Sequence, residues 1–159
     1  MKHLPKHLQP RYRYLAVALE AWPDTDVDRS SLETRLRRSA RDLLGDVGVA
    51  ATDLSIVRFD YADGRGSAIV RTRRESVTET RAAIACVSTL EGAPIGLYVA
   101  GISGTVRACS EKYIGERPEP VTERNVVYGS AERTAWCRDD RVDIRTDGAF
   151  LGATNLDLE

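Results

Sequence analysis

The chain has 159 residues, of which 42% are hydrophobic and 30% are charged. Domains usually run about 100 to 200 residues, so these figures predict one soluble globular domain with a modest appendage and exclude a multidomain enzyme. No apolar run approaches the roughly 18 residues needed to span a bilayer, and the first ten residues lack the apolar stretch of a signal peptide. We therefore expect no membrane partner and a cytoplasmic location.

The net charge of −1 hides an uneven distribution. Residues 1–114 carry 17 basic and 14 acidic side chains, whereas residues 115–159 carry 6 and 10. Of the 23 basic residues 20 are arginine, which suits bidentate recognition of phosphate or carboxylate. The first fourteen residues hold four basic side chains and no acidic one, so they form a basic arm that is either a solvated terminus or a phosphate contact.

The first half of the chain predicts a strand, a helix and a hairpin. Residues 11–21 are rich in aromatic and β-branched side chains and end before Pro23, as a strand does. Ser30 and Glu33 form a capping-box pattern that opens a helix with an apolar stripe, closed by Gly45. Two further strands, residues 54–61 and 67–73, flank a glycine-rich stretch that suits a hairpin turn.

The next part of the chain predicts a second helix and a fourth strand. A second capping-box pattern, Ser76 with Glu79, opens a helix that ends near Gly92, and residues 95–102 form a fourth strand. The order strand, helix, strand, strand, helix, strand is that of a ferredoxin-like split βαβ sandwich. We therefore predict an α+β fold over residues 1–114, with a four-stranded antiparallel sheet and two helices on one face.

Composition changes at residue 115, where a linker rich in proline and glutamate begins. We expect residues 115–159 to be an acidic C-terminal extension. Within it, residues 134–138 and 141–146 are separated by two aspartates and predict a small hairpin.

Neither face of the predicted sheet is properly polar. If one face of an antiparallel sheet is exposed to water, apolar and polar residues should alternate more clearly along its strands. The face without helices is therefore expected to be covered by the tail, a partner protein or RNA bases. The second strand is predicted to place Val57, Phe59 and Tyr61 on one face, opposite Ile56. The partner-interface candidates are Tyr12, Tyr14, Phe59 and Tyr98.

The sequence lacks the side chains of a self-sufficient active site. Its three cysteines are 23 and 28 positions apart with no histidine nearby, which disfavours a zinc site or a disulfide framework. The two histidines lie in the basic arm, so no nucleophile has a credible base, and no glycine-rich stretch has phosphate-loop spacing. We predict no catalytic residue, no metal site and no cofactor bound by the protein.

An RNA-binding surface is what the remaining features favour. Residues 67–73 carry no aromatic side chain, whereas an RNA-recognition motif places its stacking aromatics on that strand. Contacts to backbone phosphates, which position an RNA rather than read it, fit the arginines better; ion pairs within the fold are the rival explanation. The candidates for RNA contact are Lys2, Lys6, Arg11, Arg13, Arg58, Arg71, Arg73, Arg107 and Lys112.

Four stretches resemble the archaeal ribonuclease P protein component 2 family: MKHLPKHLQPRYRYLAV at the start, LSIVRFDYADGRGSAIVRTRRESV, ETRAAIACVS and SGTVRACSEKYIG. The resemblance runs from about residue 1 to residue 114, and its most specific part is residues 103–115. Around that part, Arg107 and Lys112 are the favoured RNA contacts. No family role is carried onto the acidic extension.

The resemblance implies a subunit of the ribonucleoprotein that removes the 5′ leader from precursor tRNA, an enzyme whose RNA carries the catalytic site. It also implies pairing with protein component 3, other protein subunits, dimers of such heterodimers, and Mg²⁺ held by the RNA. The basic residues would then screen repulsion between phosphates. Two alternatives remain open: a small-molecule-binding regulatory domain on the same fold, and a protein-only adaptor that never touches RNA.

Overall fold

The computed structural model describes residues 4–116 and 119–158. Within them the chain forms two antiparallel sheets and three α-helices, which confirms the predicted mixture of helices and antiparallel strands. The elements are β1 (Tyr12–Ala21), α1 (Arg29–Thr52), β2 (Ser55–Ala62), β3 (Arg65–Arg73), α2 (Val77–Ala85), β4 (Thr89–Leu90), β5 (Ala93–Ser103), α3 (Val106–Tyr113), β6 (Thr122–Tyr128), β7 (Ala131–Arg138), β8 (Arg141–Thr146) and β9 (Ala149–Thr154).

The N-terminal sheet has the strand order β2-β3-β1-β5-β4, with antiparallel pairing throughout. The prediction of four strands is therefore wrong by one: β4 has only two residues, and it pairs with the start of β5 at the sheet edge. A two-residue strand has no periodicity to read, which is why the sequence gives no sign of it. The sheet's long strands are β1, β2, β3 and β5.

The main core lies between this sheet and helices α1 and α2. Leu15 and Val17 of β1, together with Leu32 and Leu36 of α1, are almost completely buried in it. Burying such side chains stabilises the fold by roughly 1.5–3 kcal/mol each. This core fixes the helical side of the sheet and leaves the opposite side for other elements.

Helix α1 begins two residues earlier than predicted and continues further. Its N-cap is Asp28, whose side chain accepts hydrogen bonds from the backbone N–H groups of Ser30 and Ser31, so Ser30 does not cap it. Glu33 instead accepts a 2.7 Å hydrogen bond from the N–H of Ile56 and thus ties the helix to β2. Gly45, with a φ of 73°, kinks the helix rather than ending it.

Helix α2 does follow Ser76, but the Ser76 hydroxyl donates to the carbonyl of Ala51 and makes no capping bond. The helix ends at Ala85, well before the predicted end near Gly92. The residues in between form β4 and its turn. Short strands that lie next to a helix are easily read as its last turns.

A β-bulge in β2 overturns the predicted face of Phe59 and Tyr61. Ile56 pairs with Val70 and Arg58 with Ile69, so Val57 is an extra residue in the strand. After it, the side chains exchange faces. Phe59 and Tyr61 therefore pack against the main core, while Val57 packs on the opposite side of the sheet.

The C-terminal segment is larger than the predicted hairpin. The structure pairs β7 with β8 and adds β6 and β9, giving a four-stranded antiparallel sheet in chain order. Its small core contains Val126, Ala135, Val142 and Ile144. The first half of β6 (TERNVVY) is uniformly polar and β9 (AFLGAT) is almost uniformly apolar, so neither outer strand shows a clear alternation in the sequence.

Arg138 at the end of β7 joins the two sheets. It is 4% exposed, and its guanidinium donates to the carbonyls of Gly64 in the β2–β3 turn and Ala21 at the end of β1. Asp143 lies 3.0 Å from Nη2. Burial lowers the pKa of Arg138 and raises the pKa of Asp143, and the opposite charge of each partner counteracts both shifts.

Further contacts between the sheets surround Arg138. The ring of Phe150 lies 5.6 Å from that of Trp22 and 5.1 Å from that of Trp136. Three exposed or half-buried ion pairs complete the contact, Arg65–Asp139, Arg141–Glu20 and Arg145–Asp24. Pairs of this kind contribute little individually, so the buried arginine and the aromatic rings hold the sheets together.

Candidate nucleic-acid interface

Helix α3 covers part of the sheet face that lacks α1 and α2. It begins at the N-cap Thr105, whose hydroxyl accepts a 3.1 Å hydrogen bond from the N–H of Ala108. Cys109 is fully buried against Ala16 and Ile69. The chain itself therefore covers part of this face with α3, rather than with the tail, partner protein or RNA bases that were expected.

Further apolar side chains complete the contact between α3 and the sheet. Those packed around the buried residues are Tyr14, Val57, Val106, Tyr113 and Ile114. Val106, Cys109 and Tyr113 follow the spacing of one helix stripe, and Thr105 is a good N-cap residue. That pattern was the available sign of α3, which the element prediction omitted.

Three of the predicted RNA-contact residues meet on or beside α3. Arg58 of β2 donates from its guanidinium to the hydroxyl of Ser110 on α3. Arg107 is exposed, and its Nε lies 2.7 Å from Glu111 one turn later. The Lys112 ammonium lies 5.2 Å from the ring centroid of Tyr113. All three side chains are exposed, so a polyanion could contact them.

Two further predicted contacts, Arg71 and Arg73, lie on the same sheet face as α3. They flank Thr72, which is buried on the opposite side against Thr80 of α2. Their guanidinium carbons lie 4.6 Å and 5.1 Å from the ring centroid of Tyr12 on the neighbouring strand β1. Stacking of this kind holds a guanidinium in place without neutralising it.

Asp53, which sequence reasoning missed, fixes the tyrosine in this cluster. The Tyr12 hydroxyl donates a 2.7 Å hydrogen bond to Asp53, and this bond is the main reason why the pKa of Tyr12 is raised. Asp53 also lies 3.6 Å from Nε of Arg73. Asp53 is the C-cap of α1, a place where a sequence pattern gives no reason to expect contact with a strand 41 residues away.

The basic arm continues from the start of β1. Lys6 lies in a short 3-10 turn and Arg11 precedes the strand, both exposed, while Arg13 is half-buried and donates to the carbonyl of Tyr12. Lys2 lies outside the described residues. The described cations of the arm thus lie at the same end of the sheet as Tyr12.

The structure divides the four predicted partner-interface residues. Tyr14 packs beneath α3, and Phe59 packs against the main core because of the bulge in β2. Tyr12 supports the two arginines. Tyr98 on β5 has 62% of its surface exposed, so it alone presents a largely free aromatic ring on the described surface.

Among residues 4–116 and 119–158, no three histidine, cysteine or acidic side chains lie together as a metal site. Within the same residues no helix is long and apolar enough to cross a membrane. All three cysteines are free, and burial raises the pKa of the Cys109 thiol.

The fold is that of an α+β domain whose sheet is partly covered by α3 on one face and carries arginines on that same face. Residues 13–114 match the Rpp14/Pop5 family. The chain belongs to this family, and the matched region extends from β1 to the residue after α3. The C-terminal sheet lies beyond it.

Proteins designated ribonuclease P protein component 2 are similar to this chain. The chain is 51% identical over 158 residues to ribonuclease P protein component 2 of Natronomonas pharaonis, covering 99% of this chain and 98% of that one. It is 48% identical over 159 residues to the protein of the same designation from Halorubrum lacusprofundi, covering all of both chains. A match to that of Methanosarcina mazei is 32% identical over 114 residues, 72% of this chain and 93% of the other.

Proposed function

We propose that this chain is a protein subunit of ribonuclease P and that it binds the RNA of that enzyme through the cations around α3 and Tyr12. Its relatives are ribonuclease P protein components, and similarity at about 50% identity over the whole chain supports the same role here. The observation that carries the contact surface is the position of five predicted cations on one side of the sheet. They are Arg58, Arg71, Arg73, Arg107 and Lys112.

The protein acts within an endoribonuclease that removes the 5′ leader from precursor tRNA, and the RNA carries the catalytic site. The side chains described here supply positive charge near folded RNA. They screen repulsion between phosphates within that RNA and between it and the precursor tRNA, which helps the RNA to retain Mg²⁺. Charge is suited to this because most of a protein's sequence-independent affinity for nucleic acid comes from neutralised phosphates.

The partners we propose are ribonuclease P RNA, protein component 3 and other protein subunits. Tyr98 is the best-supported protein contact, because it is exposed on β5, where only the first two residues pair with β4. Such an aromatic side chain is a frequent anchor of protein interfaces. We place the complex in the cytoplasm, with Mg²⁺ held by the RNA and no cofactor held by this chain.

We also propose that residues 1–114 are a ferredoxin-like unit elaborated by β4 and α3, and that residues 115–159 are a separate extension. The position of β1 between β3 and β5 supports the first part, since interlocked βαβ units place a strand in this way. The end of the family match at residue 114 supports the second.

The experiment that tests this function is sequencing of the RNA that copurifies with the tagged protein from its own cells at moderate salt, with RNase-treated lysate as control. Enrichment of one structured RNA together with precursor tRNA is the expected result. Recovery of a protein partner without RNA would favour the protein-only adaptor, and recovery of a metabolite would favour the small-molecule-binding regulatory domain. The comparisons support neither alternative. Charge reversal of Lys2, Lys6, Arg11 and Arg13 distinguishes a protein-only adaptor from a direct RNA contact, because an adaptor would keep its partner and lose no RNA affinity.

A further inference from the structure

We propose that Arg71 and Arg73, stacked on Tyr12, form a clamp for one RNA phosphodiester, and that Asp53 occupies part of this clamp when RNA is absent. The inference rests on the proposed function and adds a particular site to it. It names the ligand group, the two donors and an internal competitor. Nothing in the family match assigns a role to these four side chains.

Arg71 is the strongest reason for the proposal. Its Nε is buried without a hydrogen-bond partner, and none of its N–H groups donates to an acceptor within the described residues. Its guanidinium lies 4.6 Å from the Tyr12 ring centroid. A cation that is partly withdrawn from water and left without a carboxylate costs free energy, and an anion supplied from outside the chain would recover it.

Arg73 provides a second donor at the same ring. Its guanidinium lies 5.1 Å from the Tyr12 ring centroid, and its side chain is 35% exposed. A planar guanidinium presents paired N–H groups that match two oxygens of one phosphate. Two guanidiniums held at one rigid ring lose little conformational freedom on binding, which favours a phosphodiester over a diffuse contact.

Asp53 leaves this cluster one negative charge short. Asp53 lies 3.6 Å from Nε of Arg73 while it accepts the Tyr12 hydroxyl, and within the described residues no ion pair joins it to Arg71. Asp53 is also the C-cap of α1, with a φ of 46°. A negative charge is unfavourable at a helix C-terminus, so its position is better explained by the contacts with Tyr12 and Arg73 than by the helix.

RNA fits this site better than an acidic protein does. The arginines share their sheet face with Arg58 and with α3, which adds Arg107 and Lys112. Several cations on one face of the sheet can contact successive phosphates of a backbone, whereas a single carboxylate of a protein would need one cation. Asp53 then acts as a positioning residue for Tyr12 and as a weak competitor for the phosphate.

The test measures binding of the full-length protein to a transcript of ribonuclease P RNA over a range of salt concentrations. The variants are Arg71→Gln, Arg73→Gln and Asp53→Asn. Asparagine keeps an oxygen for the Tyr12 hydroxyl and tolerates a positive φ, so it removes only the charge. Arg81→Gln is the matched control, because Arg81 is an exposed arginine on α2, behind the opposite face of the sheet. Thermal unfolding of each variant identifies any loss of fold.

We expect Arg71→Gln and Arg73→Gln each to weaken binding about tenfold at moderate salt and to reduce the salt slope by less than the roughly 0.7–0.9 of one complete phosphate contact, because the other arginine still contacts the same phosphate. Asp53→Asn should strengthen binding by up to about fivefold, because a competing charge of an exposed pair is removed. Arg81→Gln should change neither quantity. If Arg71→Gln fails to fold, the opposite shifts of Arg73→Gln and Asp53→Asn still decide the matter.

The outcomes separate the clamp from the proposed function. If the wild type binds this RNA with a steep salt dependence and all variants match Arg81→Gln, the clamp is wrong and the function stands. Loss of component 3 from Arg73→Gln, with RNA affinity unchanged, also overturns the clamp. If the wild type binds the transcript no better than an unrelated structured RNA of equal length, the proposed function fails and the clamp fails with it.

Discussion

The ring of Tyr113 lies directly against the backbone of Gly101. A Cβ added at Gly101 would be 2.2 Å from the Cε1 and Cζ atoms of that ring, far inside van der Waals contact. Gly101 pairs with Ala16, so two small residues of neighbouring strands form the surface on which α3 rests. The approach of α3 to the sheet therefore depends on the absence of one methyl group.

The first prediction is that Gly101→Ala displaces α3. The new methyl group forces the Tyr113 ring outward, and overpacking of this kind costs about 1–3 kcal/mol. Gly96→Ala on the same strand is the control, since the nearest atom to its Cβ would be the carbonyl oxygen of Glu20 at an ordinary 3.7 Å. Chemical denaturation measures both. Equal stability of the two variants would show that α3 does not need this close approach.

The second prediction concerns the N-cap of α3. Thr105→Ala removes the acceptor for the N–H of Ala108 and should lower the free energy of unfolding by about 1 kcal/mol. Thr105→Ser keeps the hydroxyl and should restore most of it. Hydrogen exchange across α3 checks the location of the effect: faster exchange confined to this helix is expected, and unchanged exchange there would contradict the capping role.

The third prediction is that Arg138→Met loosens the C-terminal sheet. The substitution leaves Asp143 and the carbonyls of Gly64 and Ala21 without their buried donor. Breaking one side of such a pair usually costs about 3–5 kcal/mol. Tryptophan fluorescence follows the change, because Trp22 and Trp136 both lie near Phe150.

Arg141→Met is the control for that experiment. Arg141 also bridges the two sheets, but its ion pair with Glu20 is exposed, so the cost should be under about 1 kcal/mol. If both variants lose similar stability, the buried arginine is not what holds the sheets together.

The fourth prediction is a loss of stability in alkali through Tyr61. Burial raises the pKa of Tyr61 from 10.0 to about 12, while its hydroxyl donates to the carbonyl of Thr25. A raised pKa in the folded state means that the stabilisation is fully present below pH 10 and is lost as the pH rises through about 12. Tyr61→Phe should flatten the fall in unfolding free energy across this interval. Tyr98→Phe is the control for removing a hydroxyl from an exposed tyrosine ring.

The long strands could be predicted because they are rich in aromatic and β-branched residues and their ends are marked by Pro23 or by glycine. The hairpin between β2 and β3 could also be predicted. Its turn residues Asp63 and Gly64 have φ values of 50° and 80°, which suit these residue types. Local patterns of this kind depend on neighbouring residues, so the sequence alone displays them.

What could not be predicted depends on contacts between distant residues. The bulge at Val57 places Phe59 and Tyr61 on the opposite face from the predicted one, and no local sequence pattern predicts this bulge. From the sequence, Arg138 would be expected at the surface. It is buried because the β2–β3 turn provides a hydrogen-bond acceptor for its guanidinium. Five of the nine predicted RNA contacts lie on one side of the sheet, but the role of Asp53 beside them emerges only when α1 and β1 meet.

The central claim, that this surface supplies positive charge to ribonuclease P RNA, is tested most directly by the Mg²⁺ dependence of precursor tRNA cleavage. Ribonuclease P RNA would be assayed with protein component 3 and with either the wild-type chain or a variant in which Arg58, Arg71, Arg73, Arg107 and Lys112 are all glutamine. We predict that the wild type lowers the Mg²⁺ concentration needed for half-maximal cleavage and that the variant, although folded and still bound to component 3, does so much less. An equal effect of the two proteins would contradict the claim.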